Sequence, residues 1–348
     1  MNRITVIGDT SSGKTCFLYA MYNFIALGYV DGFTMSATSD DKDSELQKMY
    51  KVLNDNSLGM ERFPPASQNR DEYEFSLQYG FKEIASFNWS DYPGACISSQ
   101  GDGVEELISD LSSSDAWVIF IDGEKLCEAI LENNPLKKKK KLMDICGKYN
   151  IFIGKDKIRS NMPTSVPIIV TKSDMLINPL INHYMETERD MNENKAAQKA
   201  FFEAEEIVKK GLSAFFADNN DSLKSISIVT LGDNLMENGY KGDLDPVNIE
   251  YPITLSMLSI LTHNFDRQFK RVADLKELIE KDKAKFFSSA ERRRLWQEEI
   301  DKIRPQLAEW QKMAKAILST LAESKKLWKN GEELNLIDYY SAELLLNE

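Results

Sequence analysis

Histidine and cysteine are scarce in this 348-residue chain. The two histidines, His183 and His263, and the four cysteines, Cys16, Cys96, Cys127 and Cys146, are scattered with no paired spacing. Such an inventory is too thin for a zinc site and offers no disulfide framework, so the thiols read as reduced and the compartment as cytoplasmic. Positive charge is also short: 43 Lys+Arg against 55 Asp+Glu leave a net charge of −12. An acidic surface lacks the field that draws in phosphate backbones, which argues against a general nucleic-acid binder. Long hydrophobic runs are missing as well. The longest, about Cys16 to Leu27, is too short for a transmembrane segment and suits a buried helix. A strand begins directly after Met1, leaving no room for a secretory signal, and neither internal repeats nor a low-complexity linker is visible. What remains is a 42% hydrophobic fraction, ample for a core, in a chain long enough for one large domain or a domain with an appendage.

The first fifteen residues organise the rest. Ile4, Val6 and Ile7 form a short apolar run that breaks at Gly8. Gly8-Asp9-Thr10-Ser11-Ser12-Gly13-Lys14-Thr15 then fits the phosphate-loop pattern G-x-x-x-x-G-K-[S/T]. The two glycines let the backbone curl so that its N–H groups converge on phosphate oxygens, and the following helix adds the positive end of its dipole. Lys14 would reach the outer phosphates and the Thr15 hydroxyl would bind Mg2+. Residues 8–15 with the adjoining Cys16 are therefore the expected phosphate contacts. A Gly/Ser-rich surface turn would match the letters by chance, but it does not require the β-rich run before and the apolar helix after.

Further along, Ser44 to Asn54 suggests a short helix, and the prolines of Gly59 to Ser67 exclude regular structure there. Tyr73, Phe75, Leu77 and Tyr79 alternate with polar residues as in a half-exposed strand, and Ile84, Phe87 and Trp89 form another. Ala116–Ile121, Val166–Thr171 and Ser225–Leu231 read as buried strands. Helices are expected at Val104–Leu111, Lys125–Tyr149, Glu193–Ala217 and Pro252–Phe269. This alternation predicts an α/β three-layer sandwich around a mostly parallel sheet. Beyond Phe265 the composition turns to Lys, Glu, Leu and Ala. Trp296, Ile300, Ile303, Leu307, Trp310, Ala314, Ile317 and Leu321 repeat at alternating steps of four and three, a heptad seam. Ser288-Ser-Ala-Glu291 fits a capping box opening that helix, Pro305 should kink or restart it, and Asn330-Gly331 should stop it. Phe265, Phe269, Val272 and Ile279 would fold back on the seam as a helical hairpin. The expected domains are 1–265 and 266–348.

Two more constellations carry chemistry. Asp91-Tyr92-Pro93-Gly94 ends the strand at Ile84–Trp89, where Asp91 would hold Mg2+ through water and the Gly94 N–H would contact a terminal phosphate. Thr171-Lys172-Ser173-Asp174 ends a buried strand, where a carboxylate accepts two hydrogen bonds from the guanine edge while the lysine stem lies along the base. Adenine would leave that buried acid unpaired. Each stretch also reads as an ordinary turn if taken alone.

In this order, Gly8–Thr15, Asp91–Gly94 and Thr171–Asp174 resemble the first, third and fourth motifs of P-loop GTPases of the Ras-like and translation-factor-related (TRAFAC) class, over about residues 1–265. The resemblance implies six strands, the second antiparallel, with GTP or GDP and Mg2+ at the strand carboxyl ends. Thr171 stands where the family usually has Asn, and Ala95 stands where efficient members often carry Gln to orient water. Thr230-Leu231-Gly232 is the nearest counterpart of the fifth motif. Hydrolysis should be slow without a partner. Phe63-Pro-Pro-Ala-Ser67 resembles the Pro-Pro-x-Thr segment of some uncharacterised bacterial GTPases, making Ser67 the favoured switch hydroxyl on Mg2+, ahead of Thr34 and Thr38. Arg62 or Arg70 reads as a built-in arginine finger or, more simply, a surface arginine. Lys137 to Lys141 reads as a solvated helix face, or else as a contact for acidic lipid or an acidic partner. Phe286-Phe287 is the suspicious apolar spot at the hairpin bend.

The resulting expectation is a GTP-binding switch whose catalytic group is Lys14, Ser67, Asp91 and Gly94, signalling to a protein partner through its switch segments and hairpin. Bacterial signalling and antiphage defence are both open settings. A P-loop ATPase or kinase, and a nucleotide-dependent scaffold without useful catalysis, are the rival readings.

Overall fold

A computed structural model describes residues 2–30, 32–80, 82–98, 103–216, 222–233, 235, 237–284, 289–321 and 326–344. Among the described residues, nine strands form one sheet: β1 (Asn2–Gly8), β2 (Phe33–Ala37), β3 (Asp71–Tyr79), β4 (Lys82–Asp91), β5 (Ala116–Asp122), β6 (Ser165–Thr171), β7 (Leu223–Ile228), β8 (Lys326–Lys329) and β9 (Glu332–Asn335). Their order is β2-β3-β4-β1-β5-β6-β7-β8-β9. Strands β4, β1, β5, β6 and β7 are mutually parallel, with Val6 opposite Asp91 and Gly8 opposite Phe120. β3 runs antiparallel to β4, and β2 to β3.

The sheet therefore has more than the six strands expected. A six-strand core, β3-β4-β1-β5-β6-β7 with its antiparallel β3, is extended by β2 on one edge and by β8 and β9 on the other. Every residue of β5 and β6 is buried, as their unbroken apolar sequence demands. β8 joins through a pairing of Lys224 with Trp328, and the indole packs edge-on against Phe216 at 5.5 Å. Asn330 and Gly331, both at positive φ, make the turn from β8 to β9. This is the usual chemistry of a tight hairpin, so the pair closes a hairpin rather than stopping the long helix, which has already ended at Thr320.

The main helices are α1 (Lys14–Ala26), α2 (Asp40–Asn54), α3 (Val104–Ser112), α4 (Gly123–Ile130), α5 (Pro135–Leu142), α6 (Ser173–Thr187), α7 (Glu193–Gly211), α8 (Tyr251–Lys283), α9 (Ala290–Thr320) and α10 (Leu336–Glu343). Several differ from expectation. The single helix expected over Lys125–Tyr149 is broken, because Asn134 caps a fresh start with Pro135 in its first turn, and a π-helical turn follows at Met143–Gly147. α6 follows β6 at once and was not expected, since Pro179 lies within it. α7 ends at Gly211; Ala217 lies outside the described residues. Pro305 does not end α9, which runs through it. The cap of α9 is Ser289, whose hydroxyl accepts from the Arg292 N–H; Ser288 and Phe286-Phe287 lie outside the described residues.

The chain divides into two compact units, Met1–Ser256 with Leu327–Glu333, and Met257–Lys326 with Leu334–Glu348. In the second, Val272, Leu275 and Ile279 of α8 cluster with Ile300 and Ile303 of α9, flanked by Trp296 and Leu307. Arg271 pairs with Glu299, and Asp282 accepts from the Ser289 N–H and the Arg293 guanidinium, which fixes the return of the hairpin. Phe269, by contrast, is 45% exposed and stands outside this seam. Among the described residues, no helix is long and apolar enough to cross a membrane.

Candidate nucleotide site

The carboxyl ends of β1, β4, β6 and β7 converge on one cavity of about 410 Å³. Thr10 to Cys16 and Gly94 line it at one end, and Thr171, Lys172 and Asp174 at the other. Apolar lining comes from Met60, Phe63, Pro64 and Pro65, and from Leu231, Leu235 and Tyr240. The location follows from topology: β1 is flanked by β4 and β5, and loops leaving neighbouring parallel strands part there to open a crevice.

The loop after β1 adopts the curl that its residues allow. Ser11 and Gly13 both have positive φ, and the Ser12 N–H and hydroxyl bond the Asp9 carbonyl at 3.2 and 2.8 Å. The Lys14 ammonium donates to the Gly8 and Asp9 carbonyls at 3.0 and 3.1 Å, so it lies folded over the loop. Burial lowers its pKa, opposed by the charges of Asp91 and Asp9. Gly94 touches the loop so closely that a Cβ there would lie 2.0 Å from the Thr10 nitrogen. No other residue fits that contact.

Asp91 lies beside Thr15 and Lys14 of the loop that follows β1. Its side chain is 2% exposed; Oδ2 lies 3.5 Å from the Thr15 hydroxyl, while Oδ1 is buried with no hydrogen-bond partner. Burial pushes its carboxyl up to about 6, against the pull of Lys14. The Ser67 hydroxyl lies 3.3 Å from that of Thr15. Thr34 and Thr38, by contrast, are exposed, one in β2 and the other just beyond it. Ser67, Thr15 and Asp91 thus form a row of three oxygen-bearing side chains in which one carboxylate oxygen is left without a partner, a donor set suited to a hard cation such as Mg2+. Ala95 is exposed and has no polar group to present. The Cys16 thiol is pushed up to about 12 by burial and stays protonated.

At the other end, the Thr171 hydroxyl lies 2.8 Å from the Ser12 carbonyl and 3.2 Å from that of Ile121. Its single proton ties β6 to the phosphate loop, a role that Thr can fill in place of Asn. Lys172 takes a left-handed conformation, and its ammonium bonds Asp122 and Glu124, both at 3.0 Å. Burial opposes its charge, but these carboxylates outweigh it and raise its pKa. Lys172 also lines the cavity. Burial raises the pKa of Asp174, with Asp233 adding to the effect. Leu231 lines this end, and the buried Thr230 stands behind it, its hydroxyl bonding Gly232 and lying 3.5 Å from Asp174.

Several contributors had no motif to announce them. Asp122 and Glu124 hold Lys172, and Lys148 and Lys125 reach Asp9 at 2.6 and 3.4 Å. Although burial pushes the Asp9 carboxyl up, these lysines hold it below its ordinary value. Only folding brings residues so distant in sequence together. Neither Arg62 nor Arg70 is a free surface arginine. Arg62 is 1% exposed and donates to the Gly242 carbonyl at 2.7 Å, pinning the two segments that supply the apolar lining. Arg70 pairs with Glu106 and Asp110, and Asp110 also accepts from the Tyr92 hydroxyl. Of the lysine run, Lys138 and Lys141 are tied to carbonyls of the preceding segment.

A family model described as Double-GTPase 2 matches residues 2–227. No curated protein matches the chain. Among solved structures, the S. cerevisiae Ski7 GTPase-like domain bound to GDP and inorganic phosphate is 18% identical, with a TM-score of 0.38, over 76% of this chain and 50% of that one. A bacterial selenocysteine-specific elongation factor, EF-Sec, is 11% identical, with a TM-score of 0.28, over 69% of this chain and 27% of that one. LeoA, a bacterial dynamin GTPase from ETEC, is 11% identical with a TM-score of 0.32, over 99% and 64% respectively. The chain spans half or less of the first two.

Proposed function

This chain belongs to the Double-GTPase 2 family and is a GTP-binding protein, and from that premise we propose that it is a switch that hydrolyses GTP slowly until a protein partner assists. The observation that carries the reading is the single cavity joining the phosphate loop to Asp174.

In this reading the loop N–H groups and Lys14 hold the phosphates, with Lys14 leaving the carbonyls it now contacts. Thr15, Ser67 and Asp91 would hold Mg2+, whose bound charge would offset that of the phosphate oxygens. The Gly94 N–H donates to the terminal phosphate, and its loss on hydrolysis would free the segment beyond it. Asp174 accepts from the guanine edge, while the Lys172 stem covers the base. Ser67 and Gly94 lie on the two segments that would feel the loss of the γ-phosphate. The helices beyond residue 265 would form the second module, passing the change to the partner. Ala95 cannot orient a water, which makes unassisted turnover slow. The same residue favours a rival, a nucleotide-dependent scaffold. Single-turnover hydrolysis with and without cell extract separates the two, because a scaffold stays inert in both.

The base reading has its own test. Asp174→Asn replaces an acceptor by an amide that donates to the 2-carbonyl of xanthine, so guanine affinity should fall at least about a hundredfold while xanthine nucleotides gain. An unchanged preference would mean that Thr171–Asp174 is an ordinary turn, as the ATPase reading holds.

A further inference from the structure

In a chain of net charge −12, one cleft of the first unit carries the opposite sign. Its volume is about 1180 Å³, and five lysines line it against two carboxylates, Asp9 and Asp144. Lys139 and Lys155 stand exposed at this cleft. Among the lysines sit Met143 and Ile151, 61% and 77% exposed, large apolar groups that folding has left in water. Two further lining residues belong to the nucleotide-sensing parts of the molecule. Asp9 is the second residue of the phosphate loop, and Ile97 follows closely on the Asp91–Gly94 turn. The Lys148 ammonium, itself a lining group, lies 2.6 Å from Asp9.

We propose that this cleft docks an acidic segment of a partner protein, with carboxylates set around large apolar side chains, and that the Lys148–Asp9 pair couples docking to the bound nucleotide. The lysines match the carboxylates, and Met143 and Ile151 match the apolar side chains. A bare oligophosphate would satisfy the first and leave the second in water. A carboxylate that engages Lys148 draws it from Asp9 and leaves the Asp9 charge in the phosphate loop offset only by the longer Lys125 pair at 3.4 Å. Docking therefore weakens the hold on phosphates, and phosphates weaken docking in return. Only this coupling rests on the GTP-binding reading; the docking surface does not.

The test uses a fluorescent synthetic helical peptide with leucine on one face and glutamate on the other, and a twin with lysine for glutamate. Anisotropy is followed with the full chain free of nucleotide, bound to GDP, and bound to a non-hydrolysable GTP analogue. The glutamate peptide should bind in the micromolar range and the lysine twin should not. Lys139→Glu with Lys155→Glu should weaken binding about tenfold or more. Ile151→Ser should weaken it as well. Binding should be weaker with the GTP analogue than without nucleotide, and Asp9→Asn should erase that difference while binding persists. No binding, or binding indifferent to the charge reversals, overturns the docking surface. Binding that is equal in all nucleotide states overturns the coupling, whereas failure of the chain to bind GTP at all would show separately in the nucleotide titration. Displacement of the peptide by inorganic tripolyphosphate together with indifference to Ile151→Ser would make the cleft a phosphate site and overturn the proposal.

Discussion

Asp91 serves two opposed demands. Its carboxyl is raised to about 6 by burial, so the folded chain binds a proton that the unfolded chain releases near its ordinary value of 3.8. Stability of the nucleotide-free protein therefore falls as pH rises from about 4 to about 6, and above that the burden is fully present. Asp91→Asn should raise the thermal midpoint of the nucleotide-free protein at neutral pH and abolish the Mg2+ dependence of GTP binding; calorimetry and nucleotide titration check the two halves. The proposed ligand role needs the ionised form, so GTP affinity should fall as pH drops through about 6. Asp174, also raised by burial, pushes in the same direction. Gly94→Ala is a different kind of lesion. With a Cβ 2.0 Å from the Thr10 nitrogen, either the loop or the turn must shift, so GTP binding should drop sharply in a protein that still folds. Unaltered affinity would remove Gly94 from the phosphate contacts.

At the scale of elements, α9 keeps Pro305 within a continuous helix. Proline removes one backbone hydrogen bond and crowds the preceding turn, at a cost of about 3 kcal/mol in a helix interior. Pro305→Ala should therefore raise the unfolding midpoint of the second unit in urea; a lower midpoint would mean that the packing of α9 depends on the proline ring. The motif-bearing elements were legible because each couples an apolar run to a punctuating residue: Ile4–Ile7 to Gly8, Ile84–Trp89 to Asp91, Val166–Thr171 to Asp174. The heptad seam was legible because its period persists across Pro305. β2 and the β8–β9 hairpin were not. Phe33–Ala37 is short and lies between glycine-rich and acidic stretches, and Lys-Leu-Trp-Lys carries too few residues to display a period. Their pairing is decided by the sheet edges they meet. Lys148, Lys125, Asp122 and Glu124 escaped notice because a charge pair across a fold has no spacing in sequence. Arg62 and Arg70 are conspicuous in the sequence, but the Gly242 carbonyl that holds the first and the Glu106 and Asp110 carboxylates that hold the second have no spacing there either.

On the scale of the whole molecule, the first unit takes one piece of its sheet from beyond the long helices, at Leu327–Glu333. Trp328, 2% exposed, anchors that piece. Trp328→Ala should cost about 3–5 kcal/mol in that unit, read from urea unfolding. A chain ending at residue 265 loses the same contact, so point variants suit a test of division of labour better than truncation. The central claim is that one cavity reads both phosphate and guanine, and a competition titration tests it most directly. A fluorescent guanine nucleotide bound to the full chain is displaced by GTP, GDP, ATP or ADP, with and without Mg2+. GTP and GDP should displace it at micromolar concentrations, more tightly with Mg2+, and ATP and ADP should not. Displacement by ATP as strong as by GTP would contradict that claim.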